Sequence, residues 1–166
     1  IIGLGLIGSK VKAYLDIFNS KVLTYDPYVI GHEKKDLYKK VESADVVILT
    51  CSLNETSEQI VDNDFYKRTK SNVTIINSAR GKLIDERAML NFTLSNPDSR
   101  HYLDVYEKEP CDFSKFSTFI QNGNLICTSH IAGVHNKIQE YSISFIRHTI
   151  ENFQKKSKSQ GDIGND

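Results

Sequence analysis

Long apolar runs are missing from this chain of 166 residues. The most apolar stretches, such as Val46 to Leu49, are far too short to span a bilayer, so no membrane partner is expected. An excess of either charge is missing too. Lys+Arg and Asp+Glu both number 21, which removes the electrostatic reason to expect nucleic acid or an anionic membrane surface. The opening Ile-Ile-Gly-Leu-Gly has neither the basic region nor the cleavage site of a signal peptide. Cysteines are few: Cys51, Cys111 and Cys127 are odd in number, widely spaced and without a CxxC. That argues against a disulfide framework and fits a reduced, cytoplasmic protein. There is no internal repeat and no initiator Met. The first glycine falls at position 3, whereas strands usually run about five to six residues. The chain is therefore expected to begin partway through its first strand.

What is present is a repeating alternation. Short apolar runs at Ile1–Leu4, Lys21–Tyr25, Asp45–Thr50, Val73–Asn77, His101–Val105 and Asn124–Thr128 read as strands. Between them lie amphipathic segments: Leu6–Asn19, a short helix within Glu33–Glu42, Glu58–Lys70, and a helix capped by Asp85 that runs to about Ser95. A last helix spans about Asn136–Phe153. Strands alternating with helices imply an α/β fold, a doubly wound parallel sheet buried on both faces. One domain over 1–153 is expected, with a polar, disordered tail over 154–166.

The first strand–helix junction reads Gly3-Leu4-Gly5-Leu6-Ile7-Gly8, a GxGxxG. Alone it is a weak signal; between a strand end and an amphipathic helix it marks a Rossmann-type dinucleotide-binding domain. Gly3 would permit the tight turn, Gly5 the approach of a pyrophosphate, and Gly8 close helix–strand packing. The helix N-terminus offers unpaired N–H groups and partial positive charge to phosphates. Asp26, at the end of the next strand, could accept the adenosine ribose hydroxyls and repel a 2′-phosphate, favouring NAD over NADP. The plainer alternative is that Asp26-Pro27 is only a turn.

Three later strands run into charged loops, at Asn77-Ser78-Ala79-Arg80, Asp104 to Pro110, and Thr128-Ser129-His130. In a doubly wound sheet the carboxyl ends of the strands face one crevice. Arg80, Glu109 and His130 could therefore converge. A guanidinium can grip a carboxylate bidentately. An imidazole can take the proton of a hydroxyl under oxidation. A carboxylate beside it orients the ring and favours its protonated form. Taken singly, each of the three has an ordinary structural explanation, and His32, His101, His135 and His148 are left to that explanation.

The motifs GLGLIG, YDPY (Tyr25–Tyr28), ADVVILT…NETSEQIV, NSARGKLIDERAM, LDVYEKEP and TSHIAG occur in order from Ile1 to about Phe153. Together they resemble the NAD-binding domain of the D-isomer-specific 2-hydroxyacid dehydrogenases. The resemblance implies NAD as cofactor, a small 2-hydroxy or 2-oxo acid as substrate, no metal, and a homodimer. It implies that Arg80 binds the substrate carboxylate and that His130, partnered by Glu109, is the general acid/base. Asp104 would bond the nicotinamide carboxamide. Leu6 and Ile7 would offer backbone N–H groups to the pyrophosphate. Cys51, Ser52 and Ser57 would lie near the adenosine and phosphates, and Ser78, Ala79 and Gly133 would complete the cofactor contacts. The family often has Pro where Ser52 and Ser129 stand and Thr at Ser57, which changes loop stiffness more than chemistry. Family members also carry a substrate-binding domain to which nothing here corresponds, so these residues alone are expected to bind NAD with little turnover. The competing reading is an NAD-sensing interaction protein, such as the corepressors that resemble this family.

Overall fold

The computed structural model describes residues 1–29, 33–134 and 137–161. Four short strands, β1 (Val46–Leu49), β2 (Thr74–Asn77), β3 (Arg100–Leu103) and β4 (Leu125–Cys127), pair in that order, all parallel. Ile2 adds a parallel bridge to Leu49 on one side and to Tyr25 on the other. The chain thus steps outward from Ile2 to Tyr25, then returns past Ile2 to β1. That reversal opens a crevice at the carboxyl end of the Ile2 segment.

The segment expected to be a strand over Lys21–Tyr25 keeps only the Tyr25 bridge. Two bonds hold Tyr25 to the Ile1–Gly3 segment: Tyr25 N–H donates to Ile1 O (2.9 Å) and Gly3 N–H to Tyr25 O (2.8 Å).

Helices follow the strands: α1 (Leu6–Ile17), α2 (Lys34–Ser43), α3 (Asn63–Tyr66), α4 (Glu86–Ser95), α5 (Ser117–Gln121) and α6 (Ile138–Gly161). The helix expected over Glu58–Lys70 shrinks to α3. Residues before it pair with the Lys82–Asp85 segment instead: Gln59 N–H donates to Lys82 O (2.8 Å), Val61 N–H to Leu83 O (3.0 Å) and Asp85 N–H to Val61 O (3.0 Å). The helix starts only where Asp62 caps Phe65 N–H at 2.8 Å. Tertiary pairing here overrides the periodicity.

The core gathers on one face of the sheet, around Leu49, Ile75, Phe65, Leu83, Met89, Phe116 and Leu125, all fully buried. Burial alternates along the strands rather than covering both faces as expected. Val46, Tyr102 and Ile126 on the other face stay 49%, 44% and 40% exposed. His101 is fully buried on β3 and shares a hydrogen bond with Tyr66 Oη at 3.1 Å, the structural role expected of it. His32 and His135 lie outside the described residues.

The chain divides into two units, Ile1–His130 and Ile131–Asp166. The second contains a turn, closed by Val134 N–H to Ile131 O at 2.9 Å, and then α6. That helix runs to Gly161, beyond the end expected at Phe153 and into the segment expected to be disordered. Residues 162–166 of the polar tail, and Asn136, lie outside the described residues. No described helix is long and apolar enough to cross a membrane.

Candidate cofactor and acid–base site

Gly3 takes a left-handed φ of +98°, and a Cβ there would lie 2.6–2.8 Å from Cys51 atoms. Only glycine satisfies both conditions. Its N–H donates to Tyr25 O at 2.8 Å, which holds the turn against the neighbouring segment. A Cβ at Gly8 would fall 2.0 Å from Gly3 O and 2.7 Å from Thr50 Oγ1, so α1 leaves the sheet with no space for a side chain. A Cβ at Gly5 would meet nothing within 4 Å among the described residues, leaving open ground above the turn. Gly5 is also the N-cap of α1, and no side chain caps the helix. The N–H groups of its first turn, with Leu6 and Ile7 exposed, are thus available to an anion.

Asp26 closes the other side. Its Oδ2 accepts Leu4 N–H at 2.7 Å and its Oδ1 accepts Tyr28 N–H at 2.9 Å. The carboxylate is therefore locked beside the glycine turn. Cys51, Ser52 and Ser57 line the same recess, a cavity of about 160 Å³ that Gly3, Gly5 and Asp26 also border. Burial pushes the Cys51 thiol up to about 11, so it acts there as a neutral, small apolar wall. Ser57 is buried; its hydroxyl donates to Ser52 O (2.7 Å) and accepts Asn54 N–H (2.9 Å), fixing the shape of the loop. A larger cavity, about 440 Å³, lies at the amino ends of the strands among Ile1, Leu23, Val46 and Val47. It is lined by no glycine, and its one carboxylate, Asp45, is paired with Lys70 at 2.6 Å, whereas the smaller recess has both the glycine turn and the Asp26 carboxylate on its border.

Strand register sets the rest of the site. Asn77 pairs with Leu103, and Leu103 with Cys127, so β2, β3 and β4 end level with one another. Just beyond these ends stand Arg80, Glu109 and His130. The Arg80 turn is folded by buried Asn77, whose amide donates to Arg80 O (3.0 Å) and whose Oδ1 accepts Ala79 N–H (3.0 Å). Ser78 is exposed within that turn. The Arg80 guanidinium donates to Ala79 O at 2.6 Å, leaving most of its five N–H groups for a ligand.

His130 Nδ1 and Glu109 Oε2 are 2.7 Å apart. His130 has a left-handed φ of +57°, an uncommon state for a residue with a side chain and one that concentrates at functional sites. Glu109 Oε1 accepts Tyr106 N–H at 3.1 Å. The hydrogen bond from His130, then that from Tyr106, hold the Glu109 carboxyl below its usual range. Asp104 is nearly buried and accepts the Thr128 hydroxyl, tying the ends of β3 and β4. Tyr106 Oη adds a second strap, sharing its proton between Leu103 O (3.0 Å) and Thr128 O (2.6 Å). Gly133, expected among the cofactor contacts, lies in the second unit.

Asn77, Tyr106 and Thr128 escape a sequence reading that looks for charged groups. The signal for Asn77 was a turn-prone Asn at a strand end; Tyr106 and Thr128 carried none beyond their place in the LDVYEKEP and TSHIAG motifs. Among the described residues no group of three or more His, Cys, Asp or Glu side chains could hold a metal ion.

Residues 1–132 match the family model "D-isomer specific 2-hydroxyacid dehydrogenase, NAD binding domain". The chain is 29% identical over 146 residues to the D-3-phosphoglycerate dehydrogenase of Archaeoglobus fulgidus, covering 84% of this chain and 27% of that one. The Mycobacterium leprae enzyme of the same name is also 29% identical, over 147 residues, with the same coverage. Among solved structures, D-2-hydroxyisocaproate dehydrogenase superposes with a TM-score of 0.76 at 24% identity, covering 93% of this chain and 52% of that one. D-lactate dehydrogenase from Aquifex aeolicus, complexed with NAD and lactic acid, superposes at 0.72 with 25% identity, covering 95% and 54%. The chain thus spans about a quarter of those curated relatives and about half of those solved ones. The glycine turn, the locked carboxylate beside it and the family match over most of the chain lead to one assignment: this chain belongs to the D-isomer-specific 2-hydroxyacid dehydrogenases, as their NAD-binding domain.

Proposed function

We propose that the protein oxidises the C2 hydroxyl of a small D-2-hydroxy acid, or reduces the corresponding 2-oxo acid. The Glu109–His130 pair, beyond the level strand ends where Arg80 also stands, carries this reading. NAD, when bound, supplies the hydride acceptor. Gly3, Gly5, Gly8 and the first turn of α1 cradle its pyrophosphate; Asp26 takes the ribose hydroxyls. Cys51, Ser52 and Ser57 wall the adenosine side, and Ser78, Ala79 and Asp104 the nicotinamide side.

Arg80 forms two parallel hydrogen bonds to the substrate carboxylate. The Glu109 carboxylate accepts the hydrogen on His130 Nδ1, which leaves Nε2 as the base that receives the C2 hydroxyl proton. In the reverse direction the same nitrogen returns the proton to the oxo oxygen. The relatives are named for 3-phosphoglycerate, 2-hydroxyisocaproate and lactate. All three carry the 2-hydroxy carboxylate group on which Arg80 and His130 act.

Those relatives are about two to four times as long as the part matched, and we propose that catalysis draws on surfaces beyond this chain. The 166 residues alone then bind NAD and turn over little or no substrate. The test is NADH oxidation with small 2-oxo acids by the complete protein and its Arg80→Ala and His130→Ala variants. Loss of kcat/KM by a factor of roughly 100 or more is expected for each. Variants that match the parent enzyme overturn the assignment.

A further inference from the structure

Glu109 is presented by a loop, Asp104–Pro110, with no regular secondary structure, so its aim depends on what grips that loop. One grip crosses from another element. Glu86, the first residue of α4, donates its N–H to Glu107 Oε1 at 3.0 Å, while Glu107 N–H donates to Glu86 Oε1 at 2.9 Å. Each carboxylate thus caps the other's backbone. Two carboxylates this close repel, and Lys115 Nζ, paired with Glu86 Oε2, offsets that repulsion. The Glu86 side chain is only 12% exposed, so the exchange is shielded in a way that a surface ion pair is not. A second grip is steric: a Cβ at Gly81 would lie 1.9 Å from the Tyr106 carbonyl and 2.6 Å from Glu107 N. Both grips seize Tyr106–Glu107, and Tyr106 N–H is the donor that holds Glu109 Oε1.

We propose that Glu86 is a positioning residue, which clamps the 104–110 loop through Glu107 so that Glu109 stays aimed at His130. This rests on the reading of Glu109 and His130 given above.

The test follows the Glu109 carboxyl by ¹³C NMR through an acid titration of this chain, with Glu109→Gln assigning the signal. In the parent chain Glu109 titrates below the ordinary carboxylate range, and His130→Ala moves it up. Glu86→Ala also moves it up, because the loop slackens and the Tyr106 donor is lost. Glu86→Gln stays near the parent, since its amide oxygen still accepts Glu107 N–H. Should Glu86→Ala fail to fold, Glu107→Ala breaks the other half of the clamp and is expected to raise Glu109 likewise. If His130→Ala raises Glu109 while the clamp variants leave it in place, the clamp is overturned and the acid–base pair stands, even where melting temperature falls. A parent signal indifferent to His130→Ala overturns both.

Discussion

Asp26 shows how much a single carboxylate can be asked to do. Both of its oxygens already accept backbone N–H groups, from Leu4 and Tyr28. Its orientation is therefore set before any ligand arrives, and little ordering entropy is spent on binding. Asp26→Ala is expected to weaken NAD binding by roughly 1–3 kcal/mol, the scale of hydrogen bonds to a charged group. Titration calorimetry reads this directly, and unchanged affinity removes Asp26 from the site. The placement of Asp26 was legible in the sequence, as an acid at the end of the segment after a glycine turn, and the fold sets it against that turn. Asn77, Tyr106 and Glu86 were not legible in that way: they work by holding backbone in place, and a turn-folding amide or a capping carboxylate looks like any other polar residue until the fold brings its partner near.

At the scale of elements, α4 forms where its sequence says. Asp85 accepts Ala88 N–H at 3.0 Å, and the helix then runs from Glu86 to Ser95 as its apolar period requires. Asp85→Ala is expected to cost about 1 kcal/mol of folding free energy, measured by denaturant unfolding. A drop well below that would mean that Glu86 and its partners carry the helix start unaided. The Glu58–Lys70 segment was misjudged for a reason of the opposite kind. Its apolar spacing suits a helix, but Val61 bonds the Leu83–Asp85 backbone, a partner more than twenty residues away in sequence. Periodicity describes a segment's own faces and is silent about such distant claims. Strand positions came through well for β1 to β4, whose short apolar runs are bounded by loop-forming residues. Of the Lys21–Tyr25 run only Tyr25 forms a bridge, to Ile2, and a β-prone sequence with few cross-strand bonds remains merely extended.

At the scale of the whole molecule, a pH dependence of stability is expected from a buried residue of the sheet. His101 is buried in the sheet and its imidazole pKa is lowered by desolvation to about 4, against 6.5 when exposed. The unfolded chain therefore binds a proton, between those two values, that the folded chain refuses. The stability conferred by the neutral ring is complete above pH 6.5 and drains away as pH falls toward 4. Over that window the loss approaches roughly 3 kcal/mol. Urea unfolding at pH 7.5 and pH 4.5 should show it, and His101→Phe should flatten the difference. An identical pH dependence in parent and variant rules His101 out as the cause. The alternation of apolar and amphipathic segments sufficed to announce a parallel sheet. It could not announce that two units would part after His130, nor that the sheet would bury one face more deeply than the other.

The missing side chain at Gly81 carries a consequence for how such a protein can change. The turn that presents Arg80 and the loop that presents Glu109 touch backbone to backbone, with no adjustable filler between them. Under the proposed roles of Arg80, Glu109 and His130, a mutation that shifts the cationic grip to suit a bulkier acid must also drag the proton-handling pair. New specificity is then reached more readily by remodelling walls elsewhere around the substrate than by reshaping this rim.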